Sequence, residues 1–248
     1  SQWVGFEGAP TTQTISIHSP LAQKKLGVGF GVVRDQLGPS LNYGIHGALA
    51  YRIKMGSGKF SMALRGAAYN YAFDWSKIDF KDTDLFDQKV SYWLPSFDVG
   101  FRYHDRNAYV GLTLSHLNQP TLAKKAGIDS INNPSELIPH ITFTAGYAYV
   151  LSQNVTFKPS VLVNYATSGL YTADVNTSIL LNNTLWLGVS YRTSKALIAM
   201  VQYDVSDAIS IGYSYDATLS RLRKQDSGSH EVFLRYEFEL NKSKVLSP

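Results

Sequence analysis

HEVFLRYEFEL, residues 230–240, decides how this chain is read. Val232, Leu234, Tyr236, Phe238 and Leu240 fall on one side. Glu231, Arg235, Glu237 and Glu239 fall on the other, with Phe233 the one exception. Side chains of a strand alternate faces with a period of two, so this is a strand with an apolar and a charged side. In a soluble sheet the apolar side faces a protein core. In a membrane barrel it faces lipid, and the charged side lines the interior. The remaining sequence separates the two.

The alternation recurs along the chain. FDVGFRYH sets Phe97, Val99, Phe101 and Tyr103 against Asp98, Gly100, Arg102 and His104, and LGVGFGVV sets Leu26, Val28, Phe30 and Val32 against three glycines. The pattern predicts about fourteen strands, at 1–6, 13–18, 26–33, 40–53, 59–73, 92–104, 107–117, 138–150, 155–166, 172–183, 185–193, 196–204, 208–217 and 230–240. Most are longer than the about five or six residues of an ordinary strand and suit a tilted span of about nine to eleven. No run of apolar residues is long enough for a membrane helix.

The connections sort by parity. LAQKK, KMGSG, DRN, SQN, NT and SD are short and even-numbered, whereas the longest connections, in 74–91, 118–137 and 218–229, are odd-numbered. In an antiparallel meander, odd and even connections lie at opposite ends. One rim therefore carries tight turns and the other long loops, as in outer-membrane barrels. The polar face holds Arg52, Arg65, Asp98, Arg102, Asp174, Arg192, Asp204, Asp216, Arg235 and Glu237 among others, while Lys is nearly absent from the strands, Lys158 excepted. Arginines and carboxylates in comparable number suit an enclosed lumen where charges pair. The expected fold is all-β: one closed, up-and-down, antiparallel transmembrane barrel over residues 1–248, with a tail at 241–248.

Composition narrows the function. The chain has 248 residues, a net charge of +4 and no Cys, which removes disulfides, thiolate metal sites and Cys nucleophiles. The basic clusters Arg221–Lys224 and Lys124–Lys125 are short and read as solvated loops rather than a nucleic-acid patch. The histidines at 18, 46, 104, 116, 140 and 230 form no paired metal motif, no GxSxG is present, and the acidic stretch 79–87 lacks the Gly and terminal Glu of a calcium loop. The residues point to no enzyme, metal or cofactor.

The opening, QWVGFEGAPTTQTISIHSPL followed by KKLGVGFGVVRDQLGPS, has Trp3 and Phe6 as girdle aromatics, a Gly-Pro turn, and a strand ending at Ser19-Pro20. It resembles the PorP/SprF family of the type IX secretion system of Bacteroidota. Trp3, Gly5, Phe6, Gly8, Pro10, His18 and Pro20 carry the resemblance, with Gly27, Gly29, Asp35, Gly38 and Pro39, and the terminal SHEVFLRYEF is also similar. The resemblance implies a non-enzymatic outer-membrane protein that binds, anchors or assists export of a large secreted adhesin bearing a C-terminal sorting domain. Implied partners are that adhesin or its C-terminal domain, other type IX components, and outer-membrane lipid or lipopolysaccharide. Candidate contacts on the long loops are Trp75, Phe80, Asp84 and Phe86, then Lys124 and Lys125, then Arg221, Arg223 and Lys224, since exposed aromatics flanked by charge suit a protein interface. The alternative function is a FadL-like transport barrel for hydrophobic or small solutes.

Overall fold

The computed structural model describes residues 1–5, 7–21, 25–74, 76, 89–119, 137–219 and 227–238. They form one antiparallel sheet: β1 (Thr11–Leu21), β2 (Leu26–Leu37), β3 (Ser40–Met55), β4 (Gly58–Asp74), β5 (Lys89–His104), β6 (Ala108–Ser115), β7 (His140–Tyr147), β8 (Tyr149–Ser152), β9 (Val155–Ala166), β10 (Tyr171–Leu181), β11 (Leu185–Arg192), β12 (Ala196–Asp204), β13 (Ile209–Thr218) and β14 (Ser229–Tyr236). Each strand pairs with the next in a meander, except that β7 and β8 both pair with β9.

The faces are those of a membrane sheet. On β5, Trp93, Phe97 and Phe101 are exposed, whereas Ser96 and Asp98 between them are 0% and 3% exposed. Leu187, Val189 and Tyr191 of β11 and Val232, Leu234 and Tyr236 of β14 likewise stand on the exposed face. Few apolar side chains are buried, among them Leu94 and Ile198. A water-soluble fold would not leave an apolar band of this extent uncovered; in hydrocarbon it is the matched surface.

Large and small residues interlock on the inner face. Phe233, the exception in the opening pattern, turns inward opposite Gly212, and a Cβ there would lie 2.0 Å from the Phe233 ring. His46 covers Gly31 and the ring of Tyr109 covers Gly146 in the same way. Strand glycines are therefore seats for a neighbour's ring.

Two expectations need correction. Residues 1–6 are not a strand: among those described, Trp3 and Gly5 have positive φ (49° and 110°), which breaks an extended chain. The segment 138–150 is divided at Ala148, giving β7 and β8 in one continuing register. Tyr147 falls opposite Pro159 in that register, and Ala148 donates its N–H to Asn107 on the other side. Tyr147 thus offers its carbonyl to a residue with no N–H, and the ladder lapses there. These two errors offset each other in the strand count. β3 runs on to include Lys54, and Lys59 and Lys89 also stand in strands, so Lys158 is not the one strand lysine.

The absence of a strand at 1–6 has a topological consequence. With β7 and β8 sharing one place, β1 and β14 both run away from the loop rim, so the two edges point the same way. No ladder joins them, and Ile15 and Val232 on those edges are 75% and 78% exposed. At the turn rim, Asp105 accepts the N–H groups of Ala108 and Asn107 at 2.7 and 2.8 Å. Those bonds, Ala108 first, hold its carboxyl below the usual carboxylate range. Their contribution is present above that range and is lost as pH falls through the lowered value.

The faces can be tested at adjacent residues of β12. Val201 is on the outer face between Leu187 and Tyr213, while Gln202 points inward and donates to Asp204 at 3.0 Å. Val201→Arg is expected to cost about 2–4 kcal/mol in urea titrations of folding into lipid vesicles, and Gln202→Arg clearly less. Equal costs would contradict the assignment of faces.

Candidate functional site

Every connection containing a sequence-nominated contact leaves the same rim. Asp74 of β4 pairs with Lys89 of β5, Ser115 of β6 with His140 of β7, and Asp216 of β13 with Ser229 of β14. Trp75, Phe80, Asp84, Phe86, Lys124, Lys125, Arg221, Arg223 and Lys224 themselves lie outside the described residues, as do Phe6 and the acidic stretch 79–87.

The opening motif builds a corner at this rim. Gly38 donates its N–H to the Gly8 carbonyl at 2.8 Å, which presses the Gly-Ala-Pro turn against the Gly-Pro turn after β2. Gly8 has φ +72°, and a Cβ on it would sit 3.1 Å from the Gly38 Cα. Both facts exclude a larger residue without strain. Thr12 donates to Asp35 at 2.5 Å, and His18 lies against Gly29. Pro10 accepts from Gln2 N–H at 2.9 Å, and Pro20 falls opposite Gly27. Across the gap, Ser1 and His230 exchange backbone bonds, Trp3 N–H donates to Ser229 Oγ at 3.2 Å, and Val4 N–H donates to the Gly228 carbonyl at 2.9 Å. Residues 1–4 thus bridge the starts of β1 and β14, antiparallel to both.

The lumen wall carries three charge clusters on its described residues. Asp98 is bonded to the Arg65 guanidinium, accepts His116 N–H at 2.9 Å, and lies 3.3 Å from Ser96 Oγ. Arg192 is clamped between Asp174, at 2.8 and 3.2 Å, and Asp216, at 3.1 Å. Arg235 reaches Asp204 at 3.7 Å and Glu237 at 3.5 Å, and donates to Ser210 at 2.8 Å. Charge-assisted pairs crossing between strands suit a confined polar interior, where each guanidinium needs a carboxylate to offset its lost hydration.

Ser96 Oγ also meets His116 Nδ1 at 2.8 Å. Asp98, however, binds the backbone N–H of His116, and Ser96 is fully buried. A nucleophile needs the carboxylate on the imidazole and an approachable hydroxyl, so this trio is not arranged for acyl transfer. His116 instead packs edge-on to Tyr69 and His140, each 6.0 Å away. Among the described residues no His, Asp or Glu group is placed to hold a metal ion.

The remaining wall, on β5, β6, β9 and β11, alternates cations with rings. Arg102 lies 5.1 Å from the centre of the Tyr109 ring, Lys158 lies 5.5 Å from the same ring, and Lys158 lies 5.6 Å from Trp186. The polar-face pattern placed Arg102 and Lys158 inward. Trp186 was missed although the alternation of Leu185, Leu187, Val189 and Tyr191 already sets it on the inward face with Arg192, opposite Leu180 and Gln202; its contact with Lys158, two strands away, was not legible in the sequence.

With this geometry in hand, the family comparison is decisive. A family model described as "Type IX secretion system membrane protein PorP/SprF" matches residues 1–236. The chain belongs to that family. This PorP/SprF chain is accordingly a type IX secretion system membrane protein, of a family not known for enzymatic activity. No curated protein matches it. Among solved structures it is similar to "Crystal structure of a Pseudomonas aeruginosa FadL homologue", with 9% identity over 90% of this chain and 74% of that chain, and a TM-score of 0.46.

The corner motif predicts the effect of one methyl group. Gly8→Ala forces a non-glycine residue into the left-handed region against the Gly38 backbone, at a cost of about 1–3 kcal/mol. The folded species should lose heat resistance on cold gel electrophoresis, whereas Gly47→Ala, with open space at its Cβ, should hardly change it.

Proposed function

We propose that this PorP/SprF protein works in the bacterial outer membrane as the partner or anchor of a large secreted adhesin with a C-terminal sorting domain. The observation that carries this reading is the family match over residues 1–236, which assigns the chain to a secretion-system membrane family. The gathering of its long connections at one rim supports it further. In this reading that rim faces outward, and the connections leaving it contain Trp75, Phe80, Asp84 and Phe86, then Lys124 and Lys125, then Arg221, Arg223 and Lys224. Aromatic anchors would supply apolar contact and the basic residues would meet acidic partner surface or lipopolysaccharide. Other type IX components dock on the same assembly.

The test is affinity purification from outer membranes. One large secreted protein should co-purify with the intact chain and be lost when residues 121–135 are replaced by a short Gly-Ser link, with the barrel still heat-resistant. Recovery without any secreted partner, or unchanged export after the replacement, would remove the anchoring role. The rival role, transport of small or hydrophobic solutes, has the lumen cavities in its favour, and a large steady single-channel conductance would support it over anchoring.

In the membrane the sheet is a closed cylinder. A strand edge in hydrocarbon cannot keep its N–H and C=O groups unpaired, and two edges of equal direction close readily around one strand antiparallel to both. Residues 1–4 already take that direction. The Gln2–Pro10 and Ser1–His230 bonds extrapolate to bring Ile15 level with Leu234. Strands lie about 4.8 Å apart, so these two positions should stand about 10 Å apart. Cysteines at both should be joined by a dithiol reagent of that span but not by direct oxidation. A direct disulfide would mean that β1 and β14 pair, and no link by either route would mean that the gap stays open.

A further inference from the structure

We propose that the lumen wall of β3–β6 holds a binding site for a small oxyanion, a phosphate or carboxylate, seated against Arg102 and His104. A cavity of about 390 Å³ opens there. Its floor is made of small residues, Ala50, Ser61, Ala63, Gly100 and Thr113, and its polar rim is Arg52, Arg102 and His104. No carboxylate lines it. The neighbouring cavity, about 370 Å³, differs in that its Arg65 already has Asp98 as a lining partner.

The contrast with Arg65, Arg192 and Arg235 carries the argument. Arg65, Arg192 and Arg235 each meet a protein carboxylate. Arg102 meets none among the described residues; its recorded partner is the face of Tyr109. A ring face fixes the guanidinium plane but leaves its N–H fork without acceptors, and that fork matches the two oxygens of a carboxylate or phosphate. Lys158, over the same ring, adds positive charge with no carboxylate partner among the described residues.

A second observation is independent of the charge count. His104 Nδ1 is a buried atom with no hydrogen-bond partner among the described residues. A buried nitrogen left unbonded is costly; in its N–H form, and with a small turn of the ring toward the cavity, it would donate to a ligand oxygen. Asp105, the adjacent acid, does not serve, because its carboxylate holds the N–H groups of Ala108 and Asn107 in the turn. Lys59 stands opposite His104 in register, so that side of the site is also basic.

The experiment is calorimetric titration of the detergent-purified protein with inorganic phosphate and, separately, with succinate. Saturable binding of at least one is expected, weakened tenfold or more in Arg102→Gln and little changed in Arg235→Gln, which removes an equal charge elsewhere in the lumen. Ala63→Glu, which places a carboxylate inside the cavity, should also abolish binding. A strand-rich circular dichroism spectrum for each variant shows that the sheet has formed. Absence of saturable binding by both anions, or equal weakening in Arg102→Gln and Arg235→Gln, would overturn the proposal. If Arg102→Gln does not fold, retained binding in Ala63→Glu overturns it alone.

Discussion

Backbone hydrogen bonding is the constraint on which this structure depends. In hydrocarbon no water can take up an unpaired N–H or C=O, so a spanning strand must give them to neighbours on both sides. The meander meets that demand with the cheapest connectivity, each strand bonding to the one before and the one after it. Pairing fixes the faces in turn. Once strands are in register, every second residue is committed to lipid or to lumen, and a slip of one residue would reverse them all. The demand is locally breached at Tyr147, opposite Pro159. It is breached along whole strands at the edges of β1 and β14.

The inner face solves a different problem. Its side chains cannot all be large, because neighbouring strands lie close together, and cannot be left charged and alone. Glycine under a neighbour's ring answers the first need, as with Gly212 beneath Phe233 and Gly146 beneath Tyr109. Carboxylate clamps on Arg65, Arg192 and Arg235 answer the second. The wall around Arg102 and His104 departs from this economy, using Tyr109 and open volume where Arg65, Arg192 and Arg235 have acids. Structures give up local optimisation where something else must bind.

The opening motif has a structural meaning that its sequence does not announce. QWVGFEGAP and DQLGP are some thirty residues apart, yet Gly8 and Gly38 touch, and Thr12 is bonded to Asp35. The first residues meanwhile lie along the start of β14. The residues that carry the family resemblance therefore form a corner that ties the first hairpin to the last strand at the rim bearing the long loops. That placement accounts for conformational demands at Gly8 and Gly38, both at positive φ, without assigning either to partner contact.

Period-two alternation and the sorting of connections by length were enough to determine an all-β antiparallel meander, the faces of nearly every strand and the rim that bears the loops. These are local properties, set by the chain's own pleat and direction. The strand count came out right through two cancelling errors, since neither the positive φ at Trp3 nor the loss of Pro159's hydrogen bond to Tyr147 shows in a hydropathy pattern. Which arginine has which acid, what seats Phe233 on the inner face, and why Arg102 is left with a ring instead of a carboxylate were decided by the register between paired strands. Those contacts arise only when separate segments are laid side by side, so tertiary pairing alone could choose them.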